Sequence, residues 1–263
     1  MTVSGTETLP VRCYEVGVTG VATPTTFADY FQEAASNNAR DLGFPGERLW
    51  AEGVAWVLTR LSITVDRYPA AGETITLRTW PSTHDRTVAM RCYEAFDAQG
   101  NLLASGTSAW TVIDFSTRRM APIPDFVTDE YPKNQPPCQA FATRAVPKLR
   151  EVAHNAPVLT RKADLDMNGH VNNARYTDWV LESVPESFSA THEPSLVDIT
   201  FRAECGAGTP LVSACSDPAS RETLHSVTLE DGTELCRARV IWRERSAVNM
   251  NGIPAAFANG SRK

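Results

Sequence analysis

Three side chains able to do acid–base and hydrogen-bond chemistry fall within ten residues, "DLDMNGHVNN" (residues 164–173). They are Asp166, Asn168 and His170, the last one of only five histidines in the chain. Their spacing is i, i+2, i+4. Alternate residues of an extended segment share one side, so the spacing predicts a polar wall running up to the following helix. That helix start presents unpaired N–H groups and partial positive charge. A carboxylate, an amide and an imidazole in such a place suit attack on a polarised carbonyl: a base takes the proton of the nucleophile, and N–H groups stabilise the developing oxyanion. Asn172 and Asn173 read differently. Asn is a favoured N-cap residue, and one of this pair is expected to cap the helix.

The elements that must position these groups occur twice. "FADYFQE" (residues 27–33) resembles "YTDWVLE" (residues 176–182), with the two aspartates 149 apart (178 − 29). In the first copy Phe27, Tyr30, Phe31, Ala34 and Ala35 make one apolar stripe at helical spacing; Tyr176, Trp179, Val180 and Val184 repeat it. Downstream, "LSITVDRYPAAGET" (61–74) and "VDITFRAECGAGTP" (197–210) each alternate apolar and polar residues and then turn. Gly72 and Gly208 align there at an offset of 136 (208 − 72). Later, Gly100 and Trp110 match Gly232 and Trp242 at an offset of 132 (242 − 110). Each half therefore reads as a long helix followed by a meander of about four to five strands. Proline-rich sequence separates them, including Pro132, Pro136, Pro137 and Pro147. The division expected is a first domain over residues 1–128, a linker over 129–150 and a second domain over 151–263. The tail from residue 246 lacks periodicity and is expected to be loosely held.

Comparing the copies separates scaffold from chemistry. At the 149 offset Gly169 aligns with Gly20, but Asp166, Asn168 and His170 face Gly17, Thr19 and Val21. The first copy enters its helix without the three polar groups, so entry alone does not require them.

Composition narrows the partners. With 42% hydrophobic and 21% charged residues the chain is that of a globular domain, not a disordered one. A net charge of −6 gives no reason to expect nucleic acid. No apolar run is long enough to span a bilayer, and the start has neither a signal-peptide nor a transit-peptide pattern, which points to the cytoplasm. Cys13, Cys92, Cys138, Cys205, Cys215 and Cys236 form no CxxC pair, and the histidines lack ligand spacing. No metal site and no cofactor are expected. In a reducing compartment most of these thiols should be free and buried.

"DLDMNGHVNNARYTDWVLESVP", with "ITFRAECG", "LEDGTELCRARVIW", "STRRMAPIP" (116–124) and "RLSITVDRYPAAGE", resembles the plant and bacterial acyl-acyl carrier protein thioesterases. The likeness runs from about Tyr14 to Trp242. The resemblance implies an α+β fold of two tandem hotdog domains, each a long central helix wrapped by an antiparallel sheet. It implies hydrolysis of the thioester between a fatty acyl chain and acyl carrier protein, with the acyl chain in the first domain and catalysis in the second. The family's catalytic Asp, Asn, His and Glu fall on Asp166, Asn168, His170 and Glu204. A cysteine once assigned as nucleophile falls on Cys205. The lack of a plastid transit peptide favours a bacterial member.

Two mechanisms follow. In one, Glu204 and His170 activate water, Asn168 orients the water or the carbonyl, and Asp166 fixes Asn168 or the helix entry. Tyr68, the counterpart of Glu204 in the first copy, cannot do a carboxylate's work. In the other, Cys205 attacks after His170 takes its proton; Glu204 then has no task, and a negative neighbour raises a thiol pKa. An acidic carrier calls for a basic docking face, for which Arg118 and Arg119 lead a cluster with Arg144, Lys148, Arg150, Arg161 and Lys162. Phe27, Tyr30, Phe31 and Trp56 could line an acyl tunnel, although helical spacing is the pattern of plain core. Two other functions fit the same residues: an acyl-CoA thioesterase and a non-catalytic acyl-binding protein. Two domains already make an internal pseudo-dimer, so either a monomer or a homodimer is expected.

Overall fold

Leu61, Ile63 and Val65 are buried while Ser62 and Thr64 between them are half-buried, as alternation in a one-sided strand requires. The structure, a computed structural model, describes residues 3–131 and 135–245. The aperiodic tail from residue 246 lies outside the described residues. The first half contains β1 (Gly5–Pro10), α1 (Pro24–Asp41), α2 (Gly46–Ala51), β2 (Val54–Val65), β3 (Thr74–His84), β4 (Val88–Asp97), β5 (Leu102–Asp114), β6 (Met120–Ala121) and α3 (Asp125–Glu130). The second contains β7 (His154–Leu159), α4 (Asn173–Glu182), α5 (Glu186–Ser189), β8 (His192–Phe201), β9 (Pro210–Cys215), β10 (Glu222–Leu229) and β11 (Glu234–Glu244). A strand thus precedes each long helix, where alternation in the sequence had marked none. Both are short edge strands with alternate residues exposed, β1 beside β3 and β7 beside β9.

The strands form one antiparallel sheet in the order β1-β3-β4-β5-β2-β8-β11-β10-β9-β7, with β6 beside β5. The order of the first half is mirrored in the second. At the seam Ser62 pairs in register with Asp198, its own counterpart at the 136 offset, so the pair lies on a pseudo-twofold axis. One apolar cluster runs through both halves and includes Phe27 and Phe31 of α1, Tyr176 and Val180 of α4, and inward residues of the strands. This is the α+β tandem-hotdog arrangement.

The repeat extends to individual backbone hydrogen bonds. Val11 N–H donates to Glu73 O at 2.8 Å, as Thr160 N–H does to Thr209 O at 3.1 Å. Ala22 N–H donates to Pro69 O at 2.8 Å, as Val171 N–H does to Cys205 O at 3.1 Å. Gly72 and Gly208 share left-handed φ values of 86° and 75°, a conformation that any Cβ would strain.

Close packing sets the helix positions. A Cβ on Gly106 of β5 would lie 2.6 Å from the Phe31 ring, so α1 can approach the sheet only because that residue is glycine. Phe31 then stacks on Tyr93 with centroids 4.7 Å apart. The second helix is shorter than the first, 10 residues against 18. Pro185 follows closely and biases the preceding residue away from helix. Of the tunnel candidates, Phe27, Tyr30 and Phe31 are core. Trp56 packs in a separate small cluster with Leu49 of α2 and Val127 of α3.

The proline-rich stretch is a strap across the sheet. Pro136 O accepts from Trp80 Nε1 and Ser82 Oγ of β3. Cys138 is disulfide-bonded to Cys92 of β4. Gln139 O accepts from Thr107 of β5, and Thr143 O and Arg144 O accept from Arg60 of β2. The expectation of free, buried thiols is corrected here. Cys92 and Cys138 are joined, Cys13 is exposed, and only Cys215 and Cys236 are both free and buried. The strap carries Cys138 onto a strand 46 residues away in sequence, a meeting that spacing does not report. The reducing-compartment argument loses its support with it. No helix among the described residues is long and apolar enough to cross a membrane.

His225 of β10 is fully buried. Its Nε2 meets Thr223 Oγ1 at 2.6 Å, and Trp242 Nε1 donates to the same hydroxyl oxygen at 2.8 Å. The hydroxyl proton is thereby free to turn to a neutral imidazole. Burial pushes the His225 pKa down to about 3. An unfolded histidine titrates near 6.5, so the unfolded chain binds the extra proton first as pH falls. Stability from this group is complete above about pH 6.5 and lost as pH drops toward 3, by about 1.4 kcal/mol per unit within that window. The urea midpoint should therefore fall from pH 7 to pH 5 more steeply in the native chain than in His225→Gln. Parallel curves would show that the ring is solvated.

Candidate active site

The loop carrying Asp166, Asn168 and His170 lies between a 3-10 turn at Lys162–Asp164 and the start of α4. It is not the extended wall expected from the i, i+2, i+4 spacing. Leu165 and Val171 bridge antiparallel, Asp166 N–H donates to His170 O at 2.8 Å, and Gly169 N–H donates to Asp166 O at 3.0 Å. The chain therefore turns back on itself, and Gly169 allows it with φ 78°. The first half makes the same turn with Gly17, Gly20 and Val21, its bonds 2.9 Å each. A turn built from backbone bonds in both copies is scaffold; the polar side chains exist in one copy only.

The turn sorts the three groups. Asp166 Oδ1 accepts from Asn168 N–H at 2.8 Å, and its Oδ2 lies 3.3 Å from Asn168 Nδ2. The aspartate is thus hydrogen-bonded to both the backbone and the side-chain amide of the asparagine. Asn168 is exposed and, among the described residues, has no hydrogen bond to His170 or Glu204. His170 Nε2 lies 3.6 Å from Glu204 Oε2, and both side chains are 40% exposed. Glu204 comes from residues 202–206, which leave β8 and run toward β9. The structure so forms two pairs, Asp166 with Asn168 and His170 with Glu204.

Asn172 is the N-cap. Its Oδ1 accepts from Ala174 N–H at 2.9 Å, as Thr23 Oγ1 accepts from Thr26 N–H in the first half at 3.2 Å. Asn173 opens α4 where Pro24 opens α1. Proline has no N–H; the Asn173 N–H is present and donates to no acceptor among the described residues.

Cys205 faces elsewhere. It is half-buried against the main cluster, and its thiol sits 3.4 Å from the Tyr176 hydroxyl. Burial pushes the thiol pKa up, against a smaller opposing effect of the Tyr176 hydrogen bond. Tyr68, the counterpart of Glu204, is buried with its hydroxyl donating to Pro194 O at 2.8 Å. The matching place in the first half is closed core.

One contact was not legible as part of the site. Arg118, between β5 and β6, places its guanidinium 3.1 Å from Glu204 Oε2 across 86 residues of sequence. The sequence marks Arg118 only as one of several cations near the linker. Arg119 beside it is exposed and has no side-chain partner among the described residues.

Comparison with known proteins shows the family and the fold. Residues 3–131 match the model of the acyl-ACP thioesterase N-terminal domain, and residues 148–244 match that of the C-terminal domain. The chain is 33% identical to a chloroplastic palmitoyl-acyl carrier protein thioesterase of Gossypium hirsutum, over 94% of this chain and 66% of that protein. It is 31% identical to oleoyl-acyl carrier protein thioesterase 2 of Arabidopsis thaliana, over 90% of this chain and 76% of that protein. Its fold superposes on the 12:0-ACP thioesterase of Umbellularia californica with a TM-score of 0.83 and 26% identity, covering 93% of this chain and 99% of that one. The chain spans about two thirds of the length of the plant proteins it matches.

Proposed function

Because the chain belongs to the acyl-ACP thioesterase family, we propose that it hydrolyses the thioester of a fatty acyl chain on acyl carrier protein, releasing free fatty acid and ending chain elongation. The observation that carries the reading to chemistry is the His170–Glu204 pair at 3.6 Å, open to solvent, while Cys205 turns to Tyr176. Water attacks the thioester carbonyl carbon. The His170–Glu204 pair holds the water, and one of the two takes its proton. The carbonyl oxygen gains negative charge near the start of α4, where the Asn173 N–H is the amide available to receive it. Asn168, held by Asp166, orients the water or the carbonyl. The intermediate collapses with cleavage of the C–S bond, and the carrier's thiolate leaves and takes up a proton. No metal or cofactor enters these steps.

In this reading the first domain, residues 1–128, receives the acyl chain, and the second, residues 151–263, performs catalysis. The two halves pair through β2 and β8, which supports an internal pseudo-dimer acting as a monomer or as a homodimer of such chains. A cytoplasmic enzyme would meet its carrier there; the Cys92–Cys138 bond is the observation that speaks against that compartment. For docking of an acidic carrier, Arg119 is the cleaner candidate, since Arg118 is engaged by Glu204.

The test supplies the purified chain with one acyl group on acyl carrier protein and on coenzyme A, and measures free fatty acid. The carrier-protein substrate should give the higher kcat/KM, and that advantage should shrink as salt screens the docking charges. Arg119→Glu should lower kcat/KM for that substrate alone. Equal turnover of both substrates would make the chain an acyl-CoA thioesterase of the same fold. Acyl binding without release would make it a binding protein.

A further inference from the structure

Arg118 reaches the second half's Glu204 from the first half's hairpin, and the hairpin is built to present it. Asp114 Oδ1 accepts from Ser116 N–H and Thr117 N–H at 2.9 and 2.8 Å, and from their hydroxyls at 2.6 and 3.0 Å. Arg118 N–H donates to Asp114 O, and Asp114 N–H to Arg119 O, each at 2.9 Å. The turn puts Arg118 at φ 55°, which a side chain seldom adopts. That conformation alone marks nothing, since Arg221 shares it at φ 59° and makes an ordinary surface pair with Glu244. What distinguishes Arg118 is its partner. Its guanidinium and the His170 imidazole both approach one oxygen of Glu204, Oε2, at 3.1 and 3.6 Å. Oε1 accepts no hydrogen bond from a described residue.

We propose that Arg118 is a positioning residue for Glu204: by holding Oε2 beside His170 it aims Oε1 at the attacking water, so that the first half completes the catalytic set of the second. The proposal rests on the hydrolase reading above. Arg118 acts through the carboxylate, not on the thioester. The titratable groups that bear on Glu204 are Arg118, His170 and, farther off, Tyr176 of α4, with Cys205 adjacent in the chain.

The experiment compares the native chain with Arg118→Gln and Arg118→Lys. Misplacing a base by a fraction of an ångström lowers turnover on the order of tenfold to a hundredfold. Arg118→Gln should show such a fall in kcat for acyl-acyl carrier protein with little change in KM. Arg118→Lys, which keeps the charge without the fork, should restore only part of kcat. A rise in KM at unchanged kcat, reversed by lowering salt, would make Arg118 a docking residue and overturn the proposal. A second reading needs no activity: in NMR spectra at one fixed pH the His170 ring resonances should shift in Arg118→Gln and stay in place in Arg119→Gln. Unmoved resonances in Arg118→Gln overturn the contact even if the chain proves not to be a hydrolase. A native chain that turns over neither substrate, with the resonances moved, refutes the function while leaving the contact in place.

Discussion

His170→Ala and Glu204→Ala should each lower kcat for acyl-acyl carrier protein on the order of 10²–10⁴-fold, the range for loss of a positioned general base. Cys205→Ala should stay within a few-fold of the native chain. His170 and Glu204 face each other at 3.6 Å, while the thiol faces Tyr176 and is pushed up by burial. A thiolate nucleophile needs the opposite setting, electropositive and easily ionised. The His170→Ala, Glu204→Ala double variant should be little worse than either single one, because groups that act on one proton are not additive. A loss in Cys205→Ala as large as that in His170→Ala would sink the water mechanism and restore covalent catalysis. Because His170 and Glu204 are partly exposed, their replacement should barely alter thermal stability, which separates loss of chemistry from loss of fold.

Asp198→Ala should destabilise the chain by about 3–5 kcal/mol, the range for leaving a buried charge without its partner. Arg60 forks onto Asp198 with Nε and Nη2 at 2.8 and 2.6 Å; the aspartate side chain is fully buried and the arginine side chain 9% exposed. The same guanidinium donates to Thr143 O and Arg144 O and lies 4.1 Å over the Phe141 ring, which fastens the strap at the seam between the halves. Loss of Asp198 therefore strikes the seam and the strap together. Urea unfolding of the purified variant reads the change directly. Replacing both partners with apolar residues of similar size should recover most of the loss, since a buried ion pair offers little over good packing. A loss under about 1 kcal/mol in the single variant is the value for solvated surface pairs and would contradict the burial.

Much of the scaffold was legible because its causes are local. Alternation at 61–65 and 197–201 reports a strand, and the stripes of Phe27–Phe31 and Tyr176–Val180 report helices, since each pattern depends on neighbours within a turn or two. A cap at Asn172 or Asn173, Gly20 and Gly169 as turn glycines, and Gly72 and Gly208 after the strands depend on backbone angles within one turn. The duplication then let one half serve as a control for the other, and that comparison isolated Asp166, Asn168 and His170. The two edge strands β1 and β7 escaped because half-exposed strands of six residues carry too little pattern.

By itself, then, the amino-acid sequence determined two copies of one helix-and-strand unit, where each helix begins, and which residue types only the second copy holds. Tertiary structure alone decided how those residues meet. It brought His170, on a turn that also pairs its near neighbours Asp166 and Asn168, against Glu204 (204 − 170 = 34 residues on). It turned Cys205 to Tyr176, laid the strap so that Cys138 met Cys92, and brought Arg118 across the seam to Glu204. The physical reason is range. Periodicity and caps act over a few residues, whereas these contacts join positions 29, 46 and 86 residues apart through the path of the folded sheet.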